Sequence, residues 1–150
     1  MRLRDGIPRG QADTLTALGE LQLQQDNPAA AIEYCESALT FHRRALDTRR
    51  TAKALETLAA AYNRVHRYTD AVHCGNEAAE HYRGINDLRG EAQSLEILGV
   101  SHREAGDPAT ARTCWTQSLA LFHELDDPRQ RTIEGYLGLA VARPGTNSGS

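Results

Sequence analysis

The chain has 150 residues, 25% of them charged, and a formal net charge of −3, which leaves no basic footprint for nucleic acid. Aromatics make up only 5%, and alanine is the recurring small residue, a composition that suits packed helices better than sheets. No apolar window approaches the roughly 20 residues of a membrane span, and the start lacks the apolar core of a signal peptide, so the expectation is a cytoplasmic protein with neither membrane nor nucleic acid as a direct partner.

In chain order, residues 1–9 read as the remnant of a preceding unit and its linker, since Arg9 stands 40 residues before Arg49. Leu15, Leu18 and Leu21 then recur at helical spacing up to a polar break at Gln25-Asp26-Asn27-Pro28. Ala31, Ile32, Cys35, Ala38 and Leu39 form a second helical stripe beyond it. The same alternation predicts helix pairs at 11–25 with 28–45, 50–65 with 68–84, and 90–105 with 108–125. A seventh helix, 128–142, has no partner after it. Asn27-Pro28, Asp107-Pro108 and Asp127-Pro128 place a capping side chain before a proline, whose missing N–H costs nothing in a first helical turn. Asp47 and Asp87 are expected to cap their helices likewise, at about 1 kcal/mol each. The tail 143–150 has linker chemistry without an apolar anchor and is expected to be disordered.

A spacing of 40 residues runs through these elements. Leu15, Leu55 and Leu95 correspond, as do Leu18, Leu58 and Leu98, then Gly19, Ala59 and Gly99, then Ala31, Ala71 and Ala111. Asp47, Asp87 and Asp127 keep the register, each followed two places on by Arg49, Arg89 or Arg129. A fixed period in this range marks stacked units that cannot bury their apolar faces alone. The units are 10–47, 48–87 and 88–127, inside an array covering 10–142. Ile133, Tyr136, Leu137, Leu139, Ala140 and Val141 make the last helix apolar on more than one side. That pattern suggests a slice of a longer array, or a homo-oligomer contact through Tyr136, Leu139 and Val141.

Catalytic chemistry finds no footing. No glycine-rich loop ends in a lysine followed by serine or threonine, and no Gly-x-Ser-x-Gly elbow occurs. His123-Glu124 opens like a zinc-protease motif, but Asp127 stands where the second histidine belongs. His73-Cys74 is the one adjacent pair of soft ligands, too few for zinc. Cys35, Cys74 and Cys114 read as buried free thiols, and Trp115 as core. His42 falls in one column with Tyr82 and Phe122, a packing position shared between units. The expectation is a protein that is not an enzyme and holds no cofactor and no metal.

The pattern resembles the tetratricopeptide repeat. Leu18-Gly19, Ala31 and Ala38 fill the family's places in the first unit; Leu58-Ala59, Tyr62, Ala71 and Ala78 in the second; Leu98-Gly99, Ala111 and Ser118 in the third. The period is longer than the family's usual one, and the tryptophan place holds leucine. With Gly106-Asp107-Pro108 and Asp126-Asp127-Pro128-Arg129, this variety is similar to the C-terminal arrays of bacterial antibiotic-regulatory and LuxR- or MalT-like signalling and transcription regulators.

The resemblance implies an all-α, tetratricopeptide-type helical-hairpin solenoid, about three repeats plus an unpaired C-terminal helix. Its first helices would line a peptide-binding groove through Asp13, Thr16 and Glu20, then Lys53, Glu56, Ala60, Asn63 and Arg64, then Gln93, Glu96, Val100 and Arg103. Glu20, Glu56 and Glu96 occupy places where a clamp for peptide C-termini wants lysine and asparagine, so a basic, apolar peptide is the expected ligand. Asn63 would pair with its backbone and Arg103 with a carboxylate. The partner would be a protein or peptide, or another domain of the same parent. An oligomerisation scaffold and a MalT-like small-ligand sensor are the alternatives.

Overall fold

The computed structural model describes residues 9–139. The readings of residues 1–8, of Ala140 and Val141 and of the tail 143–150 lie outside the described residues. Within them the chain forms seven helices and no strand: α1 (Arg9–Gln24), α2 (Pro28–Arg44), α3 (Thr48–Arg64), α4 (Tyr68–Gly84), α5 (Leu88–Glu104), α6 (Pro108–Glu124) and α7 (Gln130–Leu137). The expected all-α helical-hairpin solenoid is present.

The backbone repeats twice as often as the side chains do. Helices α2 to α6 are each 17 residues long and begin at residues 28, 48, 68, 88 and 108, 20 apart. One turn serves every junction. Its middle residue has a positive φ: 59° at Asp26, 55° at Leu46, 63° at His66, 57° at Asn86, 91° at Gly106 and 52° at Asp126. The next N–H then reaches back to a carbonyl five residues earlier, as Asn27 to Gln22 at 2.8 Å and Asp107 to His102 at 2.8 Å. Orphan carbonyls at the helix end are thereby satisfied, and the chain reverses within three residues.

Five of these six positions carry a side chain where glycine would be easier. Leu46 is the plainest case, because its side chain is 87% exposed and packs on little. Left-handed backbone costs a residue with a Cβ about 1–2 kcal/mol, partly offset by the entropy glycine loses on folding. Leu46→Gly is therefore expected to stabilise the fold by about 0.5–1 kcal/mol, a rise of roughly 2–4 °C in melting temperature. Thermal unfolding followed by circular dichroism checks this; a drop would mean that Leu46 packs on something.

Four of the caps form as expected or nearly so. Asp47, Asp87 and Asp107 accept from the N–H groups of Arg50, Gly90 and Thr110 at 3.1, 2.9 and 3.1 Å. Asp127 accepts from Arg129 N–H at 2.9 Å. Asn27 does not cap: its Nδ2 donates to Gln22 Oε1 at 3.0 Å, and Pro28 starts α2 without it.

Each helix packs on its neighbours in sequence, and α1 also touches α3, as α3 touches α5. The second helices of the units, α2, α4 and α6, make at most marginal contact with one another. First helices closer together than second helices put α1, α3 and α5 on the inside of the curve. The small residues set the hairpin crossings. A Cβ on Gly19 would sit 2.4 Å from Cys35 Sγ, and one on Gly99 would sit 2.1 Å from Trp115 Nε1. The column of His42, Tyr82 and Phe122 is buried throughout, and the Tyr82 ring lies directly over Gly90. At Ser118, where the other units have Ala38 and Ala78, the hydroxyl donates to the Ala92 carbonyl at 2.7 Å.

Helix α7 is shorter than its apolar pattern suggested. It stops at Leu137, where Gly138 takes φ 70° and Leu139 N–H bonds the Glu134 carbonyl at 2.9 Å. Ile133 and Leu137 are buried on the core, while Arg131, Thr132 and Gly135 face solvent. The helix thus has a polar outer side. Tyr136 turns inward and stacks on Trp115, with ring centroids 4.8 Å apart and planes 11° from parallel. Leu139 remains exposed.

Candidate docking groove

Residues three and four apart share a helix face, so the inner sides of α1, α3 and α5 carry positions one turn apart from each other. Three adjoining depressions run along them. The first, about 550 Å³, is lined by Asp13, Thr16 and Glu20 of α1, Arg49, Arg50 and Lys53 of α3, and Arg89 and Gln93 of α5. The second, about 580 Å³, shares Glu20, Lys53 and Gln93 and adds Glu56, Ala60, Arg64 and Glu96. The third, about 640 Å³, shares Ala60, Arg64, Glu96, Ile97 and Arg129 with the second and adds Asn63, Val100, Arg103 and Tyr136.

All twelve groove positions named from the sequence line this surface. The reading missed the arginines at its rim. Arg49, Arg89 and Arg129 repeat every 40 residues, and that column was the signal that could have found them. It also missed Ile97 and Tyr136. Tyr136, named from sequence for an oligomer contact, also borders the third depression.

Glu56 and Glu96 lie deep, their side chains 10% exposed, whereas Glu20 is 40% exposed. Lys53 Nζ lies 2.9 Å from Glu20 Oε1 and 3.5 Å from Glu56 Oε2. Tyr82, arriving from α4, donates its hydroxyl to Glu56 Oε1 at 2.9 Å. Burial pushes the Glu56 carboxyl above the usual carboxylate range, even though Lys53 and Tyr82 pull it down. Burial works against the Lys53 ammonium too, but Glu56 and Glu20 outweigh it and leave its pKa raised. Glu96 accepts from Arg129 Nη2 at 2.6 Å and from its Nε at 3.2 Å.

Other polar groups link successive units. Arg49 reaches Asp87, and Arg89 Nε donates to Asp127 at 3.1 Å, so each cap residue ties its helix to an arginine of the unit before. Arg50 Nε donates to Asp13 at 2.7 Å. The Asn63 amide is engaged within the fold through one bond at each end: its Oδ1 accepts from Ser101 Oγ at 2.8 Å and its Nδ2 donates to the Ile97 carbonyl at 3.4 Å. It therefore bridges α3 to α5 while lining the third depression. Arg103 Nε donates to Glu104 at 3.0 Å, and its guanidinium lies 5.4 Å from the Trp115 ring centre and 5.7 Å from that of Tyr136. The three thiols are buried, and burial pushes Cys35 up to about 12 and Cys74 up to about 11, which leaves little reactive thiolate.

The comparisons agree with this architecture. Residues 10–84 match the family model described as tetratricopeptide repeat. Among solved structures, the N-terminal domain of stress-induced protein-1 (STI-1) from C. elegans is similar at a TM-score of 0.63 and 19% identity, over 91% of this chain and 98% of that one. No curated protein matches. No helix of the described residues is long and apolar enough to cross a membrane.

Proposed function

We propose that this chain, which belongs to the tetratricopeptide repeat family, binds a partner protein by taking an extended segment of it along the inner face of α1, α3 and α5. The fold is that of a protein–protein interaction scaffold. The observation that carries the groove reading is the continuity of the three depressions: Lys53, Gln93 and Glu20 belong to the first two, and Ala60, Arg64 and Glu96 to the last two. An open channel shared by three helices suits an extended chain better than a compact metabolite, which is usually enclosed on most sides. That argues against the ligand-sensor alternative. The oligomer alternative loses support because Tyr136 is stacked on Trp115 and α7 shows solvent a polar side.

We place the module in a cytoplasmic bacterial signalling or transcription regulator, acting without catalysis on a separate protein or on another domain of its parent. The support is the 40-residue period with its Gly106-Asp107-Pro108 and Asp126-Asp127-Pro128-Arg129 turns.

Selection from an unbiased peptide display library tests the groove. The wild type is expected to enrich a common motif that Ala60→Arg/Val100→Glu no longer retains, while Glu33→Arg on the exposed side of α2 retains it. All three proteins must match in helicity and melting. Equal enrichment on the groove variant would move the binding surface elsewhere.

A further inference from the structure

We infer that two copies of this chain pair through the free side of α1, around Leu15, Leu18 and Leu21, with Tyr34 and Phe41 of α2 beside them. This side is not the groove, which Asp13, Thr16 and Glu20 line from another side of α1. Positions 40 residues apart show what it lacks. Leu55 and Leu58 of α3 are 1% and 2% exposed, and Leu95 and Leu98 of α5 5% and 2%, because α2 and α4 pack on them. Leu15 and Leu18 are only partly buried. Leu21 is 43% exposed where Ala61 and Ser101 are fully buried, and Thr14 is exposed where Ala54 and Ser94 are fully buried. A preceding helix covers this side in the second and third units; among the described residues none covers it in the first.

Its chemistry fits a second copy. At the internal junctions carboxylates face back to arginines of the unit before: Glu77 accepts from Arg43 Nη2 at 3.0 Å and Glu91 from Arg83 Nε at 2.9 Å. The matching places in the first unit hold Ser37 and Gln11. After its first residue α1 carries two charges, Asp13 and Glu20, and both line the groove. Tyr34 stands where Cys74 and Cys114 do, and Phe41 where His81 and Leu121 do. The first unit is therefore bulkier on this side, and neither ring is fully buried. A further unit of the array's own type would bring arginines with no carboxylate to meet. An uncharged apolar face meets its own copy without opposing like charges, and one contact removes both copies of it from water.

The pair is two-fold and not head to tail, because the α7 end, where the sequence suggested a contact, offers no matching face. Ile32 and Val72 each pack on the unit that follows them. The third residue of that column is Arg112. Its two Nη atoms donate to the Leu137 carbonyl at 3.1 and 3.2 Å and close the end of α7. Arg131, Thr132 and Gly135 keep the outer side of that helix exposed and free of apolar side chains. An isologous contact through α1 therefore stops at two copies.

Sedimentation equilibrium of the whole chain, from about 1 μM to about 1 mM, tests the pairing. The expected result is a monomer–dimer equilibrium with no larger species. Leu21→Glu is expected to raise the dissociation constant about tenfold or more, since it would bury an unpaired charge in the contact. Thr14→Arg is expected to do the same. Both side chains are already exposed in the single copy, and circular dichroism of the dilute proteins is expected to show unchanged helicity. Leu139→Glu, on the exposed leucine at the other end, is expected to leave the dissociation constant as it is. A monomer at every concentration would overturn the pairing and leave the face to residues 1–8 or to a different protein. Growth past the dimer would overturn its two-fold form. A dimer that Leu21→Glu and Thr14→Arg leave intact would place the contact elsewhere and overturn it as well.

Discussion

Gly99→Ala is expected to destabilise the protein by about 2 kcal/mol or more, although the same change in most helix interiors stabilises by roughly 0.5–1 kcal/mol. The new methyl would stand 2.1 Å from Trp115 Nε1 and 2.4 Å from Cδ1, inside the indole ring. Nor can the ring easily retreat. Its Nε1–H donates to the Glu96 carbonyl at 3.2 Å, its face carries Tyr136, and it is 4% exposed. Either α5 and α6 separate or the indole leaves its site, and with it goes the platform that seats α7. Gly135→Ala in α7 is the control, since nothing lies within 4 Å of a Cβ there; it is expected to gain stability by a fraction of a kcal/mol. Denaturant unfolding of both variants checks the pair. A Gly99→Ala protein as stable as the wild type would mean that the helix crossing is looser than the structure indicates.

Lys53→Met carries the second large effect. It removes the cation between Glu20 and Glu56 and leaves Glu56 8% exposed with only the Tyr82 hydroxyl. Breaking a buried pair from one side costs about 3–5 kcal/mol, and the 42% exposure of Lys53 brings the expectation to about 2–3 kcal/mol. The loss should depend on pH in a defined sense. Glu56 holds its proton more tightly folded than unfolded, so its contribution to stability is fullest below the unfolded value of 4.5. That contribution is lost as pH rises through the higher folded pKa. Without Lys53 the folded pKa moves further up. The gap between wild type and variant should therefore widen from acidic to neutral pH, and Lys53→Met/Glu56→Gln should close most of it. Chemical unfolding at several pH values reads this directly; a gap that stays constant with pH would mean the lysine contributes packing alone.

Helix existence and helix caps were legible in the sequence because both are local. An aspartate before a first turn finds its N–H three residues on, as Asp47, Asp87 and Asp107 do. Boundaries erred where one residue decided them: the apolar run through Val141 suggested a longer last helix, and Gly138 ends it. The 20-residue backbone period stayed hidden because first and second helices face different surroundings. The turns are alike, yet the side chains of α2, α4 and α6 answer to the outer layer and those of α1, α3 and α5 to the groove.

The sequence by itself thus determined the family and the all-α fold, since a column recurring every 40 residues marks one structural position. It placed all twelve groove residues on one surface. Only the tertiary structure decided what that surface presents. The partners that settle its charge come from other helices: Glu20 lies 33 residues before Lys53, Tyr82 26 after Glu56 and Arg129 33 after Glu96. Spacing along one helix shows which way a carboxylate points but not how deep it lies or what lies over it. Depth is set by how closely α1, α3 and α5 approach, and by whether a long side chain from a neighbouring unit reaches across.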